Sequence, residues 1–254
     1  MIGSRVMLLA AMAVLAGCGR KRPVTAPPPV AVDSVWSRAE AAFHRSDWSE
    51  AQKQLDLVAP LLPSAEPRYL KLHFYLAEIQ FAQGNPLQAV REFRRVADER
   101  PDDPLAPDAL VRAGDAYADL WRRAELDPTY GETAKTVYQE VLTRYDGTPA
   151  AARARLRLNE LAEKFAAKEY KNALFYFKYK AYDSAILLFR SVIASYPRSA
   201  VVPQALERLV RTYQKLNYQE DIKETCAYIA QYHPSPTGPR RFCPTPAAAS
   251  GEKP

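Results

Sequence analysis

Residues 185–197, which read AILLFRSVIASYP, decide the fold of this chain. The stretch places a small residue first, an aromatic residue four positions later and a proline twelve positions later. Residues 89–101, AVREFRRVADERP, repeat this arrangement with the same offsets. A small residue early in a helix lets a second helix approach closely, the aromatic ring packs between the two, and the proline ends the unit. The spacing therefore predicts repeated pairs of helices.

Weaker copies of the same arrangement occur at residues 51–63, 134–146 and 222–234, and the pattern is that of tetratricopeptide repeats. Nearly all of the chain between the two ends has helical periodicity, and runs of alternating Val, Ile and Thr that would indicate strands are missing. We predict an all-α superhelix of about five tetratricopeptide-like helix pairs with a flexible N-terminal tether and C-terminal tail. The predicted pairs are 33–64, 68–102, 105–146, 150–198 and 200–234, with an additional helix at about 150–168 inside the fourth.

The N-terminus reads as a signal peptide that ends at a cysteine. One basic residue, Arg5, precedes an apolar run of about a dozen residues, which is too short to span a bilayer core of ~20 helical residues. The segment Leu15-Ala16-Gly17-Cys18 resembles the bacterial lipoprotein box, which implies cleavage before Cys18 and attachment of acyl chains to it. Gly19 stands where a retained inner-membrane lipoprotein has aspartate, so the resemblance points to the outer membrane. The alternative is an ordinary cleaved signal with a chance cysteine.

Proline-rich composition marks both ends of the mature chain as lacking a packed core. The predicted organisation is a signal peptide at 1–17, a lipidated cysteine with its tether at 18–32, a repeat domain at 33–234 and a disordered tail at 235–254. Within the repeat domain, residues 33–102 form the N-terminal repeats and residues 103–234 the C-terminal repeats. The net charge of +6 is spread along the helices, with Arg20–Arg22 as the one tight basic cluster, which argues against nucleic acid as a partner.

Four aromatic residues are predicted on the concave side of the first two repeats, which the first helix of each pair lines. They lie three positions before and four positions after Ala39 and Ala77. The four are Trp36, Phe43, Phe74 and Phe81. They predict an apolar slot for an extended peptide, edged by Glu40, His44, Lys71 and Glu78. The alternative is that these rings form core between repeats, because an aromatic stripe at helical spacing often packs inward.

The C-terminal repeats carry the tyrosine and arginine chemistry that is enriched at protein interfaces. The candidate interface residues are Tyr170, Phe177, Tyr182 and Arg190, with Tyr176 and Tyr179 close to them in sequence. The alternative is that most of the tyrosines have structural roles.

No pattern of a catalytic, metal or cofactor site stands out. The three histidines have no partner at metal-ligand spacing, and the chain has neither a nucleophile elbow nor a phosphate-binding glycine loop. We predict no catalytic residues, no metal and no cofactor. Cys226 and Cys243 could form a disulfide in an oxidising compartment, or Cys226 could be a small buried apolar residue. A thiol–imidazole pair of Cys226 with His233 is the one enzyme hypothesis.

The order of these features resembles the BamD/ComL family: a lipobox, a proline-rich tether, and five helix pairs with the third interrupted near residues 126–128 and a long helix before the fourth. The resemblance covers about residues 1–234 and is strongest from 134 to 215, where the stretch from Asn159-Glu160-Leu161 to Tyr196-Pro197 carries it. That family is the outer-membrane lipoprotein of the β-barrel assembly machinery, anchored by lipid and facing the periplasm.

The resemblance implies a non-catalytic scaffold. N-terminal repeats would receive the C-terminal signal of unfolded outer-membrane proteins, while C-terminal repeats would hold the barrel-forming subunit beside the other lipoproteins of the complex. Family members can use a basic residue in the second helix of repeat four, where this chain has Leu188, with Arg190 as a neighbour. The alternative function is a tetratricopeptide lipoprotein that scaffolds cell-wall or division enzymes.

Overall fold

The computed structural model describes residues 31–235 and 237–244, and these residues form ten α-helices and no strand. The helices are α1 (Val32–His44), α2 (Trp48–Val58), α3 (Pro67–Ala82), α4 (Pro86–Glu99), α5 (Ala106–Leu120), α6 (Thr129–Arg144), α7 (Pro149–Lys178), α8 (Tyr182–Ser195), α9 (Val202–Leu216) and α10 (Gln219–Tyr232). Each helix packs on the next in the chain, so that α1–α2, α3–α4, α5–α6, α7–α8 and α9–α10 are the five pairs. The predicted all-α stack of helix pairs is confirmed.

Small and aromatic residues of the repeat pattern pack where the pattern requires them. Ala89 and Ala185 are completely buried near the starts of α4 and α8, and Phe93 and Phe189 are completely buried one turn later. Full burial of such a ring contributes about 1.5–3 kcal/mol. The repeated spacing therefore places these four residues in the core.

Proline and glycine set several of the helix boundaries. Proline occupies one of the first two positions of α3, α4, α5, α7 and α9, where its missing N–H would have no partner in the helix anyway. Gly84, with a φ of 81°, makes the turn between α3 and α4 in a backbone region that other residues rarely adopt.

Helix α7 differs from the prediction, because the additional helix at 150–168 and the first helix of the fourth pair are one helix of 30 residues. Thr148 caps its start by accepting a hydrogen bond from the N–H of Ala151. After Pro149 no proline or glycine interrupts the run, so nothing ends the helix before Tyr179. At 1.5 Å per residue the helix is about 45 Å long. Its first half packs on α5 and α6 and its second half on α8.

The interruption of the third pair is a loop fastened to α7. The indole of Trp121 is completely buried against the ring of Phe165, with 4.6 Å between ring centroids. The ammonium groups of Lys164 and Lys168, one turn apart on α7, donate hydrogen bonds to the carbonyl oxygens of Trp121 and Leu126. The loop is therefore an integral part of the stack.

The prediction of a disordered tail from 235 onward is wrong for residues 237–244. A short 3-10 turn at Pro239–Phe242 packs on α9, and a disulfide joins Cys243 to Cys226 of α10. The guanidinium of Arg211 lies 4.3 Å from the centroid of the Phe242 ring. Composition could not reveal this arrangement, because the covalent link and one half-buried ring offset the ordering cost of a proline-rich segment.

The predicted signal peptide, Cys18 and nearly all of the predicted tether lie outside the described residues, as do residues 245–254. Within the described ranges, none of the helices has the length and apolar character needed to cross a membrane.

Candidate functional site

Trp36 and Phe43 of the predicted slot pack around an aromatic ring that the sequence analysis did not single out. Tyr75 of α3 stacks on Phe43, with centroids 4.1 Å apart, and on Trp36, with centroids 6.1 Å apart. Trp36 is only 6% exposed, so it is core between α1 and α3 and does not line an open slot. Phe43 is half-buried and also meets the edge of Trp48.

Phe74 and Phe81, the other two predicted slot residues, lie nearer the surface of α3. Both are half-buried. Phe74 meets Phe93 edge to face with centroids 5.5 Å apart, and the guanidinium of Arg112 lies 4.8 Å from the centroid of Phe81. These two rings therefore have partly accessible faces beside a cationic side chain.

A cleft of about 490 Å³ lies between the first helices of repeats two to four. Its apolar lining comes from one residue on each of α3, α5 and α7, namely Phe74, Val111 and Leu156. Leu156 is 63% exposed, so its side chain is accessible at the cleft. The charged lining residues of the cleft are Arg112, Arg153, Arg157, Asp108 and Asp115.

Arg112 joins α3 to α5 at the edge of this cleft. Its Nε and Nη2 atoms each donate to Glu78 at 2.6 Å, and its Nη1 donates to Asp115 at 3.0 Å. Burial opposes the charged form, but the hydrogen bonds and charges of Glu78 and Asp115 outweigh it and raise the pKa of Arg112. The guanidinium is therefore permanently charged and held in one orientation.

Asp115 accepts hydrogen bonds from three different side chains of the cleft region. Its side chain, only 11% exposed, accepts hydrogen bonds from Arg112, from Nε of Arg157 at 3.0 Å and from the hydroxyl of Tyr138 at 2.8 Å. Burial raises the pKa of Tyr138, and the neighbouring carboxylate adds to the effect, so this phenol stays protonated as a donor. An ion pair between Arg153 and Asp108 adds a second link from α7 to α5.

The predicted edge residues of the slot are mostly joined in pairs. Lys71 donates to Glu40 at 2.6 Å, and Glu78 is held by Arg112, whereas His44 is exposed. The cleft thus offers apolar side chains between fixed, mutually neutralised charges. Such a surface can hold an extended polypeptide through apolar contacts and hydrogen bonds.

Leu156 and its arginine neighbours were missed by the sequence analysis because they lie in the first half of α7. That segment was assigned to an additional helix outside the repeat pattern. The spacing of Arg153, Leu156 and Arg157, three and four positions apart, was the available signal that they share one helix face.

Three of the four predicted interface residues in the C-terminal repeats are half-buried. Tyr170 packs near Phe189 with centroids 5.9 Å apart, and Phe177 lies beside Tyr182 at the same separation. Arg190 is exposed but donates to Asp221 of α10 at 2.8 Å. These contacts join α7 to α8 and α8 to α10, and an interface at these four residues stays a prediction.

Three exposed aromatic side chains, Phe175, Tyr176 and Tyr179, lie together near the end of α7. Phe175 was not singled out from sequence, because it lies outside the offsets used to choose candidate residues. Its position two residues after the buried Ala173 indicated an outward direction.

The structure also bears on the enzyme hypothesis at Cys226 and on possible metal ligands. The disulfide to Cys243 removes the free thiol that the enzyme hypothesis at Cys226 requires. Within residues 31–235 and 237–244, no group of three or more His, Cys, Asp or Glu side chains is arranged to hold a metal ion.

A family profile described as YfiO, outer membrane lipoprotein, matches residues 30–228 of the chain. The outer membrane protein assembly factor BamD of Caulobacter vibrioides is 25% identical over 225 residues, which cover 87% of this chain and 73% of that protein. BamD of Vibrio cholerae is also 25% identical, covering 85% of this chain and 93% of that protein. Among solved structures, the TPR2AB domain of yeast Sti1 aligns over 80% of this chain and 78% of that chain, with 16% identity and a TM-score of 0.46.

Proposed function

The chain belongs to the YfiO family of outer membrane lipoproteins, and from this premise we propose that it is a non-catalytic assembly factor for outer-membrane β-barrel proteins. In this proposal, lipid on Cys18 holds the repeat stack at the outer membrane, facing the periplasm. The stack binds unfolded outer-membrane proteins through its N-terminal and central repeats. Its C-terminal repeats bind the barrel-forming subunit of the assembly machinery.

The cleft between α3, α5 and α7 supports the substrate part of the proposal. An unfolded outer-membrane protein presents extended segments with alternating apolar side chains and unpaired backbone groups. The half-buried Phe74 and the exposed Leu156 offer apolar contacts, while arginine and carboxylate groups offer donors and acceptors. The observation that carries this assignment is the meeting of the half-buried Phe74 and the exposed Leu156 with fixed arginine–carboxylate pairs in one cleft.

The ion pairs that line the cleft support weak, reversible binding. Arg112 and Arg157 are already bonded to carboxylates, so a bound segment does not gain a fresh buried salt bridge. An assembly factor must bind an unfolded chain and then release it, which requires modest affinity built from several weak contacts. The cleft therefore suits delivery of a substrate better than permanent storage.

Site-specific photocrosslinking tests the substrate part. A photoreactive residue at position 156, or at 81 on the same side, is expected to capture C-terminal segments of outer-membrane proteins in living cells. The matched control is position 57 on α2, where the leucine is 46% exposed. Capture of these segments from position 57 alone would contradict the assignment of the cleft.

A further inference from the structure

The end of α7 exposes a cluster of three aromatic rings. Phe175, Tyr176 and Tyr179 are 56%, 40% and 68% exposed. The ring of Phe175 contacts both tyrosines, with centroids 5.6 Å from Tyr176 and 4.6 Å from Tyr179. Contiguous exposed apolar patches mark interaction sites, whereas single exposed apolar residues need no explanation.

The three rings are not required for packing the repeats. Ala173 on the same helix is completely buried between α7 and α8, and Leu174 and Phe177 pack against the core of the last two repeats. These residues supply the core contacts of this part of α7, whereas the exposed rings lie outside that core cluster. The exposed apolar area of these three rings is unfavourable in water, and the packing of the repeats does not account for it.

Lysines surround the cluster, and two of them have no ionic partner. Lys171 is paired with Glu125, but Lys178 and Lys180 are exposed and form no ion pair in the part of the chain that the structure describes. Lys178 also lies in the last turn of α7, where the helix dipole favours a cation. The apolar rings are thus flanked by positive charge that the chain does not neutralise.

We infer that Phe175, Tyr176 and Tyr179, with Lys178 and Lys180, form a docking surface for an acidic segment of a partner protein that also carries an apolar side chain. The rings would contact the apolar side chain, and the two lysines would pair with carboxylates on either side of it. This inference rests on the proposed function in one respect, because the partner is expected within the assembly machinery.

A protein segment fits the surface better than a lipid bilayer. Interfacial helices carry a long basic face beside their apolar face. On α7 the basic residues nearer its start are already engaged, since Lys168 bonds to a loop carbonyl and Lys171 to Glu125. The free charge is confined to two lysines beside three rings, which matches the size of a short peptide segment.

The test uses the full-length protein in cells with a photoreactive residue at position 179, followed by identification of the captured segment. The expected product is a segment of another protein with net negative charge and at least one apolar side chain. Replacement of Lys178 and Lys180 by glutamate is expected to lower capture by about tenfold. The matched variant Lys215→Glu/Lys223→Glu reverses two exposed lysines of α9 and α10 and should leave capture unchanged.

Several results would overturn the inference. These are capture of lipid, of a second copy of this chain or of basic segments, no capture at all, or capture that the two lysine replacements leave unchanged. Position 232, where the tyrosine is 58% exposed on α10, serves as the control for nonspecific labelling. Thermal unfolding of each variant, monitored by circular dichroism, verifies that the variant folds like the wild type.

The same experiment separates this inference from the proposed function. An acidic segment from a protein unrelated to barrel assembly would support the docking surface and contradict the proposed function. A segment of the assembly machinery that is not acidic would do the reverse.

Discussion

At the scale of single residues, Gly114 on α5 shows how closely the helices of the third pair approach. A Cβ atom at this position would lie 2.5 Å from Cε1 of Tyr138, which is completely buried on α6. Tyr138 cannot move away freely, because its hydroxyl is bonded to Asp115.

We expect Gly114→Ala to lower the free energy of unfolding by about 2 kcal/mol. Overpacking against Tyr138 costs up to ~3 kcal/mol, and the better helix propensity of alanine returns ~1 kcal/mol. Urea denaturation measures the change, with Asp119→Ala at an exposed position of α5 as the control. Equal or greater stability of Gly114→Ala would show that the third pair is less tightly packed than described.

A second residue-scale prediction concerns acid stability. Nδ1 of His73, buried on α3, lies 2.7 Å from Oε2 of Glu92 on α4. This hydrogen bond is the main cause that lowers the pKa of Glu92 below its ordinary value of 4.5, against the opposing effect of burial. A carboxyl group with a lowered pKa in the folded state stabilises the fold above about pH 4.5, and the contribution disappears as the pH falls through the folded value.

Glu92→Gln should therefore flatten the loss of stability between pH 5 and 3, measured by urea denaturation over that range. Glu220→Gln, at an exposed position of α10, is the control and should leave the slope unchanged. An identical slope for the wild type and Glu92→Gln would mean that the bond to His73 does not act on the folded state.

At this scale, the sequence predicted which residues share a helix face better than it predicted how deeply each is buried. The offsets placed Trp36, Phe43, Phe74 and Phe81 on one side of α1 and α3, but Trp36 is buried whereas the three phenylalanines are half-buried. Periodicity specifies which residues share a face, whereas burial depends on the neighbouring helix, here on the ring of Tyr75. That information comes from residues distant in the sequence.

At the scale of elements, the C-terminal turn and its disulfide close the last helix pair. The bond between Cys226 and Cys243 spans 17 positions of sequence, and Phe242 packs with the apolar cluster of α9 and α10 that contains Val202 and Ile229. A cross-link over a loop of this size stabilises a protein by about 3 kcal/mol when the unfolded chain loses entropy.

Addition of a thiol reductant should lower the midpoint of thermal unfolding of the protein. The double variant Cys226→Ser/Cys243→Ser should melt at the lower temperature with or without reductant. Differential scanning calorimetry provides the measurement. If thiol titration shows full reduction and the wild-type midpoint stays the same, the disulfide does not stabilise the fold.

Sequence reasoning recovered the helix pairs well at this scale and failed where no local signal exists. The turns at Gly84 and the prolines at helix starts mark boundaries within the chain itself, so the pairs were predictable. The continuity of α7 was hidden because the repeat pattern suggested a boundary that the residues between 168 and 173 do not enforce. The tail turn depends on a disulfide partner that composition alone leaves undecided.

At the scale of the whole stack of repeats, ion pairs connect the first helices of successive helix pairs. Glu40 and Lys71 link α1 to α3, Glu78 and Arg112 link α3 to α5, and Asp115 and Arg157 link α5 to α7. In a stack where each repeat contacts mainly its neighbours, such links couple the unfolding of one repeat to the next.

We expect Arg112→Ala to lower the free energy of unfolding by about 2 kcal/mol, in the range for hydrogen bonds between charged groups. It should also decrease the dependence of that energy on urea, because the first two repeats then unfold apart from the others. Arg122→Ala, at an exposed position of the loop after α5, is the control. Unchanged stability and urea dependence would show that the stack is held by apolar packing alone.

The most direct test of the proposed scaffold is to purify the native protein from outer membranes in mild detergent and identify what accompanies it. We predict recovery of the barrel-forming subunit of the assembly machinery in near-stoichiometric amount, together with other lipoproteins of that complex. Recovery of cell-wall or division enzymes without any component of barrel assembly would contradict the account.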